Sequence, residues 1–273
     1  VYDLCLSGGV AMNVKNNLCL SEIRKVKNVF VPPSPDDSSQ AMGSCYVQFM
    51  DSNVNKLPGP IESPYLGYCI DDKKALNIIN NLNNNKYQIY KKNINSIVAK
   101  LISKNLVIAR CVGSAEFGAR SLGNRSILSN PSNNDIKKII NEKIKNRDFW
   151  MPFATSVLDN YAKKYFLLNG NLENYYYMTN CVKTNVKYRK NLAAAIHPYD
   201  YTCRPQVLTK KINPDYYDLI KKYGNITKTY ALLNTSFNLH GFPLVNSEKD
   251  AILVFKKTAL DALILGKYLI VKK

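Results

Sequence analysis

Short apolar runs of strand length alternate with segments of helical spacing along most of the 273-residue sequence. This alternation restricts the chain to mixed α/β or α+β folds. For example, residues 94–104 carry apolar side chains at helical spacing, and residues 106–112 then form a continuous apolar run. Residues 51–66 show little periodicity and contain three prolines. We therefore predict a boundary near residue 60, with one domain over 1–60 and a second over 61–273.

Three further local patterns predict a helix, a strand or helix edge, and a helix start. The apolar run at 259–265 has helical spacing and predicts a helix. The consecutive tyrosines within 175–178 are compatible with a strand or with the edge of a helix. Asp37 or Ser38 is a suitable N-cap for a helix that runs to Met50.

The predicted strand at 106–112 leads into a segment rich in glycine and arginine, GSAEFGARSLGNRSIL at 113–128. Glycine lets the backbone approach a ligand closely, and the planar arginine fork matches phosphate and carboxylate oxygens. Arg120 and Arg125 in this segment are therefore candidates for an anion site. A surface loop with solvated arginines is the alternative.

Net charge and cysteine content indicate which partners and which cellular compartment to expect. The formal charge is +18, but the lysines are dispersed, and a nucleic-acid surface requires clustered charge. The composition therefore argues against nucleic acid as the main partner, whereas small anionic substrates remain compatible with it. Seven scattered cysteines without a C-x-x-C pair predict a reducing, cytoplasmic compartment. No apolar run approaches the roughly 20 residues that span a bilayer, so no membrane partner is expected.

The first forty residues contain two further candidate sites. A strand at 2–6 is followed by Ser7, Gly8 and Gly9 and then by a helical pattern, which predicts either an anion-binding corner or an ordinary strand-to-helix turn. Asp36 and Asp37 follow a second strand. They are candidates for a hard metal, although the spacing favours helix capping. The chain starts at Val1 inside a strand pattern, so we expect it to be truncated at its N-terminus.

Six motifs occur together in one order: LSGGVAMNV at 6–14, VPPSPDDSSQAMG at 31–43, EFGARSLGNRSILSNP at 116–131, KNRDFWMPFA at 145–154, TCRPQ at 202–206 and LLNTSFNLHGFPLV at 232–245. In this arrangement the chain resembles the C-terminal part of the NodU/CmcH-type carbamoyltransferases. The resemblance implies that residues 1–60 are the closing segment of an actin-like ATPase (ASKHA) fold, and that 61–273 form a YrdC-like domain. It also implies that carbamoyl phosphate and ATP are converted to carbamoyl-adenylate, from which the carbamoyl group passes to a hydroxyl.

The resemblance also assigns residues in the second domain. It implies that Arg120, Lys145 and Arg204 hold the phosphates and the carbamoyl group, and that Asn234 and Ser236 bind phosphate or carbamoyl oxygens. Arg125 and Arg147 are weaker candidates, because a salt bridge that braces the loop would explain them equally well.

In the first segment the resemblance implies nucleotide contacts for Gly8, Gly9 and Asn13 and a metal ligand at Asp37. The family's H-x-x-x-H motif is absent, and the only histidines are His197 and His240. Mg²⁺ is expected to arrive with ATP, whereas Fe²⁺ or another divalent metal at the transfer site requires histidines that this chain lacks. Two positions depart from the family pattern: Met151 stands where an arginine is usual, and Ala119 where a proline is frequent.

Two other functions stay open at this stage. A YrdC-type threonylcarbamoyl-adenylate synthase in tRNA modification would use threonine and bicarbonate, but stand-alone synthases do not carry the LSGGVAMNV segment. A basic RNA-binding module would show an affinity that falls steeply with salt. The acceptor hydroxyl, on a sugar, a secreted glycan or a natural product, is not identified by these residues.

Overall fold

Strands and helices alternate along the chain, as the sequence predicts. This computed structural model describes residues 1–53, 56–141, 144 and 152–273. The strands are β1 (Tyr2–Cys5), β2 (Val26–Phe30), β3 (Tyr87–Tyr90), β4 (Ile108–Cys111), β5 (Arg125–Ser129), β6 (Ala154–Leu158), β7 (Phe166–Leu167), β8 (Val182–Thr184), β9 (Thr202–Cys203), β10 (Pro205–Leu208), β11 (Ala231–Ser236), β12 (Ala262–Leu265) and β13 (Tyr268–Lys272). The α-helices are α1 (Val14–Ser21), α2 (Gln40–Ser52), α3 (Asp72–Asn80), α4 (Ile94–Ser103), α5 (Asp135–Ile140), α6 (Asp159–Tyr165), α7 (Pro214–Thr227) and α8 (Glu248–Lys257).

Eight of the strands form one mixed sheet in the order β10-β6-β11-β5-β4-β12-β13-β3. The pairs β10/β6 and β4/β12 are parallel, and the other neighbours are antiparallel. Successive side chains of a strand point to opposite faces, so Ala109 joins the core beneath α3, α5 and α8, whereas Ile108 joins the core beneath α4 and α7. Helices thus cover both faces of the sheet, and the predicted mixed α/β class is confirmed.

The first fifty residues build a small unit of their own. β1 and β2 pair in parallel, with Leu4 opposite Val29, and α1 connects them. Ala11, Val29 and Val31 form its buried apolar cluster. Since this cluster contains only three buried residues, the unit depends on contacts with the rest of the chain.

Those contacts are hydrogen bonds from buried side-chain amides and hydroxyls to backbone carbonyls on the other side of the interface. Asn17 Nδ2 donates to the carbonyl of Thr179 (2.8 Å), and Thr179 Oγ1 donates to the carbonyl of Val31 (3.0 Å). Asn180 Nδ2 donates to the carbonyl of Val29 (3.0 Å). The first unit is therefore fixed against the region that carries the small sheet β7-β8-β9.

An ion pair adds to this interface and should make its stability depend on pH. Lys15 Nζ contacts the Asp200 carboxylate and the Thr202 hydroxyl. Although partial burial alone would raise the pKa of Asp200, the hydrogen bonds from Lys15 and Thr202 lower it to about 2. A carboxyl with a depressed pKa stabilises the fold above its unfolded-state pKa of about 4, and this stabilisation is lost as the pH falls toward 2.

We expect Asp200→Asn to lower the free energy of unfolding by less than about 1 kcal/mol at pH 7, because both side chains are partly exposed. The difference from the parent protein should shrink as the pH falls from 5 to about 3. Urea unfolding at several pH values measures it, with Asp51→Asn at an exposed position of α2 as the control. A difference that stays constant from pH 7 to 3 would contradict the ion pair.

A close backbone approach joins the first unit to the glycine- and arginine-rich segment. Gly118 has a φ of +107°, and a Cβ placed there would lie 2.1 Å from the carbonyl oxygen of Pro33. Both the conformation and the contact therefore require glycine. The segment that contains Arg120 is thereby held against the loop that follows β2.

Gly118→Ala should destabilise the protein by about 2–4 kcal/mol, because the new methyl group meets backbone atoms and the φ is unfavourable for a side chain. Gly43→Ala is the matched control: Gly43 lies inside α2, its Cβ would meet nothing within 4 Å, and alanine favours the helix by up to about 1 kcal/mol. Equal unfolding midpoints in urea for the two variants would show that the Gly118 contact is not a constraint.

Of the two interpretations left open for 175–178, the structure agrees with the edge of a helix, because a 3-10 turn at Leu172–Tyr175 ends at the first of these tyrosines. Three other local predictions were wrong. Residues 262–265, expected to be helical, form the buried central strand β12, since a short apolar run does not separate a buried strand from a helix. The last residues of the glycine- and arginine-rich segment were expected to belong to a loop, but Arg125–Ser129 form strand β5. The capping residue before α2 is Asp36, which caps a 3-10 turn at Asp37–Ser39, rather than Asp37 or Ser38.

None of the helices in the described ranges has both the length and the apolar character that are needed to cross a bilayer.

Candidate functional site

The segment between β4 and β5 is a folded loop organised around the carboxylate of Glu116. Glu116 is buried, and its Oε1 accepts hydrogen bonds from the backbone N–H groups of Leu122 (2.8 Å), Asn124 (2.7 Å) and Arg125 (3.2 Å). One carboxylate oxygen thus closes the loop on itself. We call residues 113–124 the arginine loop.

The preceding connection supports the first half of the arginine loop. The backbone N–H of Gly67 donates to the carbonyl of Ala115, and the N–H of Ala115 donates to the carbonyl of Tyr68 (both 3.0 Å). Burial raises the pKa of Tyr65, so its hydroxyl stays protonated and donates to the carbonyl of Leu122 (2.9 Å). Residues 65–68 therefore hold the arginine loop at two points, Ala115 in its first half and Leu122 near its end.

Arg125 lies at the start of β5 and is completely buried. Its terminal nitrogens donate to backbone carbonyls, among them those of Val112 (2.7 Å), Tyr68 (2.8 Å) and Asn246 (3.3 Å). These bonds brace the loop from beneath, although they go to carbonyls and not to the carboxylate that a salt bridge would need. The geometry thus favours the bracing interpretation of Arg125 over a ligand contact.

Arg110 in β4 is a second fully buried arginine that the sequence analysis did not select. It donates to Asn124 Oδ1 (2.7 Å), to the carbonyl of Gly123 (2.7 Å) and to Asp215 Oδ2 (2.6 Å). Partial burial alone would raise the pKa of Asp215, but the charge of Arg110 and its hydrogen bond lower it. The sequence did contain a signal for Arg110: a charged residue inside the apolar run 106–112 indicates a buried charge, and a buried charge almost always has a partner.

Arg120 and Arg204 are half-buried and stand next to segments that share one hydrogen-bond network. Directly after Arg120, the carbonyl of Ser121 accepts from Asn234 Nδ2 (3.1 Å) and the carbonyl of Leu122 accepts from Gln206 Nε2 (2.7 Å). Arg204 immediately precedes β10, which contains Gln206. The network therefore ties the arginine loop to the strand that follows Arg204.

Buried amides and a hydroxyl from three neighbouring strands make up this network. Ser156 Oγ in β6 donates to Gln206 Oε1 (2.6 Å) and accepts from Asn234 Nδ2 (2.9 Å). Asn234 is 1% exposed, and within the described part of the chain its Oδ1 has no hydrogen-bond partner. A buried acceptor without a partner is costly unless a ligand or water supplies a donor. Gln206 belongs to the TCRPQ motif, but the sequence analysis selected only the arginine of that motif.

The other predicted residues of the second domain are Ser236, Lys145 and Arg147. Ser236, at the end of β11, donates its hydroxyl hydrogen to Asn238 Oδ1 (2.7 Å). Lys145, Arg147 and the unusual Met151 lie outside the described residues. Their predicted roles therefore stay predictions.

The predicted residues of the first unit belong to turns at its surface. Gly8 and Gly9 are exposed, and Gly8 has a φ of +94°. Asn13 caps α1, with Oδ1 accepting from the N–H groups of Lys15 (3.1 Å) and Asn16 (3.2 Å). This capping role uses Oδ1, whereas a contact with a nucleotide phosphate would use Nδ2 as the donor, so the predicted nucleotide contact stays a prediction.

Asp37 is exposed, and its Oδ1 accepts a hydrogen bond from Gln40 Nε2 (3.4 Å). Across the residues that the structure describes, no three His, Cys, Asp or Glu side chains are grouped in a way that could hold a metal ion. Asp37 by itself does not make a metal centre. Its role as a ligand stays a prediction.

A cavity of about 420 Å³ lies beside the contact between the first unit and the arginine loop. Asp36 and Ser38 line it on one side, and Gly67 and residues 116–119 line it on the other. Of the predicted residues, Asp36 lines this cavity, whereas Asp37 and Arg120 do not.

Family models match the two parts of the chain separately. The model described as Carbamoyltransferase C-terminus matches residues 99–272, and the one described as Carbamoyltransferase N-terminus matches residues 1–46. The first match covers most of the eight-stranded sheet and the whole arginine loop.

Relatives and a solved structure give further comparisons. The chain is 38% identical to the Methanocaldococcus jannaschii protein MJ1051 over 100% of this chain and 51% of that protein. It is 34% identical to nodulation protein NolO of Bradyrhizobium diazoefficiens over 99% of this chain and 49% of that protein. The chain thus spans about half the length of these relatives. A crystal structure of full-length HypF in a phosphate- and nucleotide-bound form aligns with a TM-score of 0.44 and 14% identity, over 68% of this chain and 22% of HypF.

The resemblance to the NodU/CmcH-type proteins is confirmed by the family models and by the nodulation proteins among the relatives. The chain belongs to the carbamoyltransferase family.

Proposed function

We propose that this chain carries the carbamoyl-adenylate-forming part of an O-carbamoyltransferase. The observation that carries the proposal is the convergence of the arginine loop and the Arg204 strand on the buried network around Asn234. This network leaves the Oδ1 of Asn234 without a partner among the described residues. Two cationic side chains are expected where a phosphate-bearing substrate is held, and a buried acceptor without a partner suits an N–H donor such as the carbamoyl NH2 group.

The chemistry requires cations and positioning more than it requires a nucleophile. Water first cleaves carbamoyl phosphate to carbamate and inorganic phosphate. A carbamate oxygen then attacks the α-phosphorus of ATP, the bond from this phosphorus to the bridging oxygen breaks, and pyrophosphate leaves. Arg120, Lys145 and Arg204 neutralise the phosphate and carbamoyl oxygens, and Asn234 and Ser236 orient the carbamoyl and phosphate groups. The network below the loop fixes the segments next to Arg120 and Arg204 before the substrate arrives.

The second step transfers the carbamoyl group. The oxygen of an acceptor hydroxyl attacks the carbamoyl carbon, the hydroxyl proton is lost, and AMP leaves. The acceptor in this proposal is a hydroxyl of a sugar, a glycan or a natural product. Because this chain matches only about half of its relatives, further acceptor contacts would come from segments that correspond to their other half. We place the reaction in the cytoplasm, in keeping with the scattered cysteines.

Mg²⁺ enters this scheme as the companion of ATP, held by the phosphates. A second metal at the transfer site does not fit the residues present, because Asp37 lacks grouped ligands in the described part of the chain and the only histidines are His197 and His240. No step of the proposal passes through it.

The experiment that tests this function measures pyrophosphate release from ATP by the purified chain. One arm contains carbamoyl phosphate, and a parallel arm contains threonine and bicarbonate. Release that depends on carbamoyl phosphate is the expected result. Release only with threonine and bicarbonate would assign the chain to threonylcarbamoyl-adenylate synthesis instead, and no release in either arm would contradict adenylate formation.

A further inference from the structure

The end of the arginine loop rests against the first turn of α7, an element that lies outside all six sequence motifs. Asn213 and Tyr216 contact loop residues 123 and 124 directly, and Asp215 reaches them through Arg110. This turn therefore adds a second support to the one that the Glu116 carboxylate gives the loop.

Asn213 serves both the helix and the loop with one buried side chain. Its Oδ1 accepts from the backbone N–H of Tyr216 (3.0 Å) and so caps α7, and its Nδ2 donates to Asn124 Oδ1 (2.9 Å). A cap needs only a side-chain oxygen, which serine, threonine and aspartate also supply. The bond to Asn124 needs an amide N–H as well, and asparagine is the capping residue that provides it.

Tyr216 fixes the turn that precedes Asn124. Its side chain is fully buried, and a Cβ placed on Gly123 would lie 2.4 Å from the Cδ1 of the tyrosine ring. Gly123 also has a φ of +118°, which a residue with a side chain rarely adopts. The ring therefore lies directly against the backbone of the loop, with no room for another side chain between them.

Asp215 completes the contact through the buried Arg110. Arg110 pairs with Asp215 Oδ2 (2.6 Å) and donates to the carbonyl of Gly123 and to Asn124 Oδ1 (both 2.7 Å). Asp215 is in turn held by α4, because Asn95 Nδ2 donates to its Oδ1 (2.9 Å). The support for the loop is thus itself anchored to a second helix.

We propose that the first turn of α7 positions the arginine loop for adenylate formation, and that Asn213 is a positioning residue of this reaction. The inference rests on the proposed function, in which Arg120 of the same loop acts on the phosphates. Asn124 donates its backbone N–H to the Glu116 carboxylate (2.7 Å), so a shift of Asn124 disturbs the group that closes the loop around Arg120. A displacement of about 1 Å at a group that acts on the substrate can cost about 100-fold in rate. Loss of one loop contact should therefore affect the rate more than the stability.

Asn213→Ser separates the two roles, because serine keeps the cap but lacks the amide donor. We expect the kcat of carbamoyl phosphate-dependent pyrophosphate release to fall about tenfold, the effect of roughly one hydrogen bond. The urea midpoint of unfolding should stay close to that of the parent, since Asn124 Oδ1 still accepts from Arg110. A parental kcat in this variant would overturn the proposal.

Asn185→Ser is the matched control. Asn185 caps the 3-10 segment Val186–Ala195 and donates its Nδ2 to the carbonyl of Lys164 (3.2 Å). The substitution thus keeps a cap and removes one amide donor whose acceptor is not in the arginine loop. The kcat of this control should stay within about twofold of the parental value. An equal fall in both serine variants would count against a specific role of Asn213.

A double-mutant cycle shows whether Asn213 acts through Asn124. Asn213→Ser should lower kcat by less than about twofold when Asn124→Ala is already present, because the bond between the two side chains has then been removed. If the two losses instead multiply, Asn213 acts by another route, and the proposal is overturned.

Hydrogen exchange tests the contact without any enzyme activity. The backbone N–H groups of Leu122 and Asn124, which donate to Glu116, should exchange about tenfold faster in Asn213→Ser than in the parent, whereas those of β13 should not change. Unchanged exchange in the loop would overturn the proposal. Faster loop exchange in a protein whose parent form releases no pyrophosphate would support the hold of α7 on the loop and overturn the proposed function instead. The two failures are therefore distinguishable.

Discussion

Arg204→Ala and Arg120→Ala should each lower the rate of carbamoyl phosphate-dependent pyrophosphate release by about 100- to 1,000-fold. The physical reason is charge. Pyrophosphate departs with several negative charges, and a positioned guanidinium neutralises them as they develop. Both arginines are half-buried, and the hydrogen bonds of Gln206 and Asn234 tie together the segments next to them before the substrate binds.

The same substitutions should leave the fold nearly unchanged. We expect the free energy of unfolding in urea to fall by less than about 1 kcal/mol for each, because neither side chain is fully buried. Arg24→Ala, at an exposed arginine next to β2, is the control and should keep full activity. Retention of parental release rates by both Arg120→Ala and Arg204→Ala would mean that the phosphates bind elsewhere.

Periodicity predicted most of the elements around the candidate site, whereas the site residues that the motifs indicate stay predictions. The helix predicted at 94–104 corresponds to α4 (Ile94–Ser103), and the strand at 106–112 corresponds to β4 (Ile108–Cys111). These predictions succeed because an amphipathic helix and an apolar strand show different spacing of their buried residues. The helix prediction at β12 failed because Ala262–Leu265 is buried on both faces, and the composition of such a strand also suits a helix.

Residues that act through tertiary contacts were less predictable. Glu116 and Gln206 lie inside recognised motifs, but nothing local indicates that one carboxylate would accept three backbone N–H groups or that one amide would tie two strands together. Arg110 pairs with Asp215, which is 105 positions away in sequence. Such pairings follow from the strand order of the sheet, which local patterns do not specify.

Arg120 and Arg125 show the same limit within one motif. Both belong to EFGARSLGNRS, and the sequence analysis offers both as cations of an anion site, with Arg125 as the weaker candidate. In the structure Arg120 is half-buried, whereas Arg125 is fully buried beneath backbone carbonyls. The difference arises because Arg125 opens β5 between β11 and β4, where its side chain is covered by the sheet and the loop. Two arginines of one motif should therefore give opposite results when they are replaced.

Arg125→Ala should destabilise the protein by about 3–5 kcal/mol, the second large effect that we expect. Removing the guanidinium leaves the buried carbonyls of Val112, Tyr68 and Asn246 without donors and opens a cavity under the arginine loop. Arg125→Lys should recover part of this loss, because an ammonium group donates hydrogen bonds but does not reach several carbonyls at once. Urea unfolding measures both variants, with Arg120→Ala as the neighbour that should stay stable. If Arg125→Ala instead unfolded at the parental urea concentration while pyrophosphate release stopped, Arg125 would contact substrate, and the bracing interpretation would be wrong.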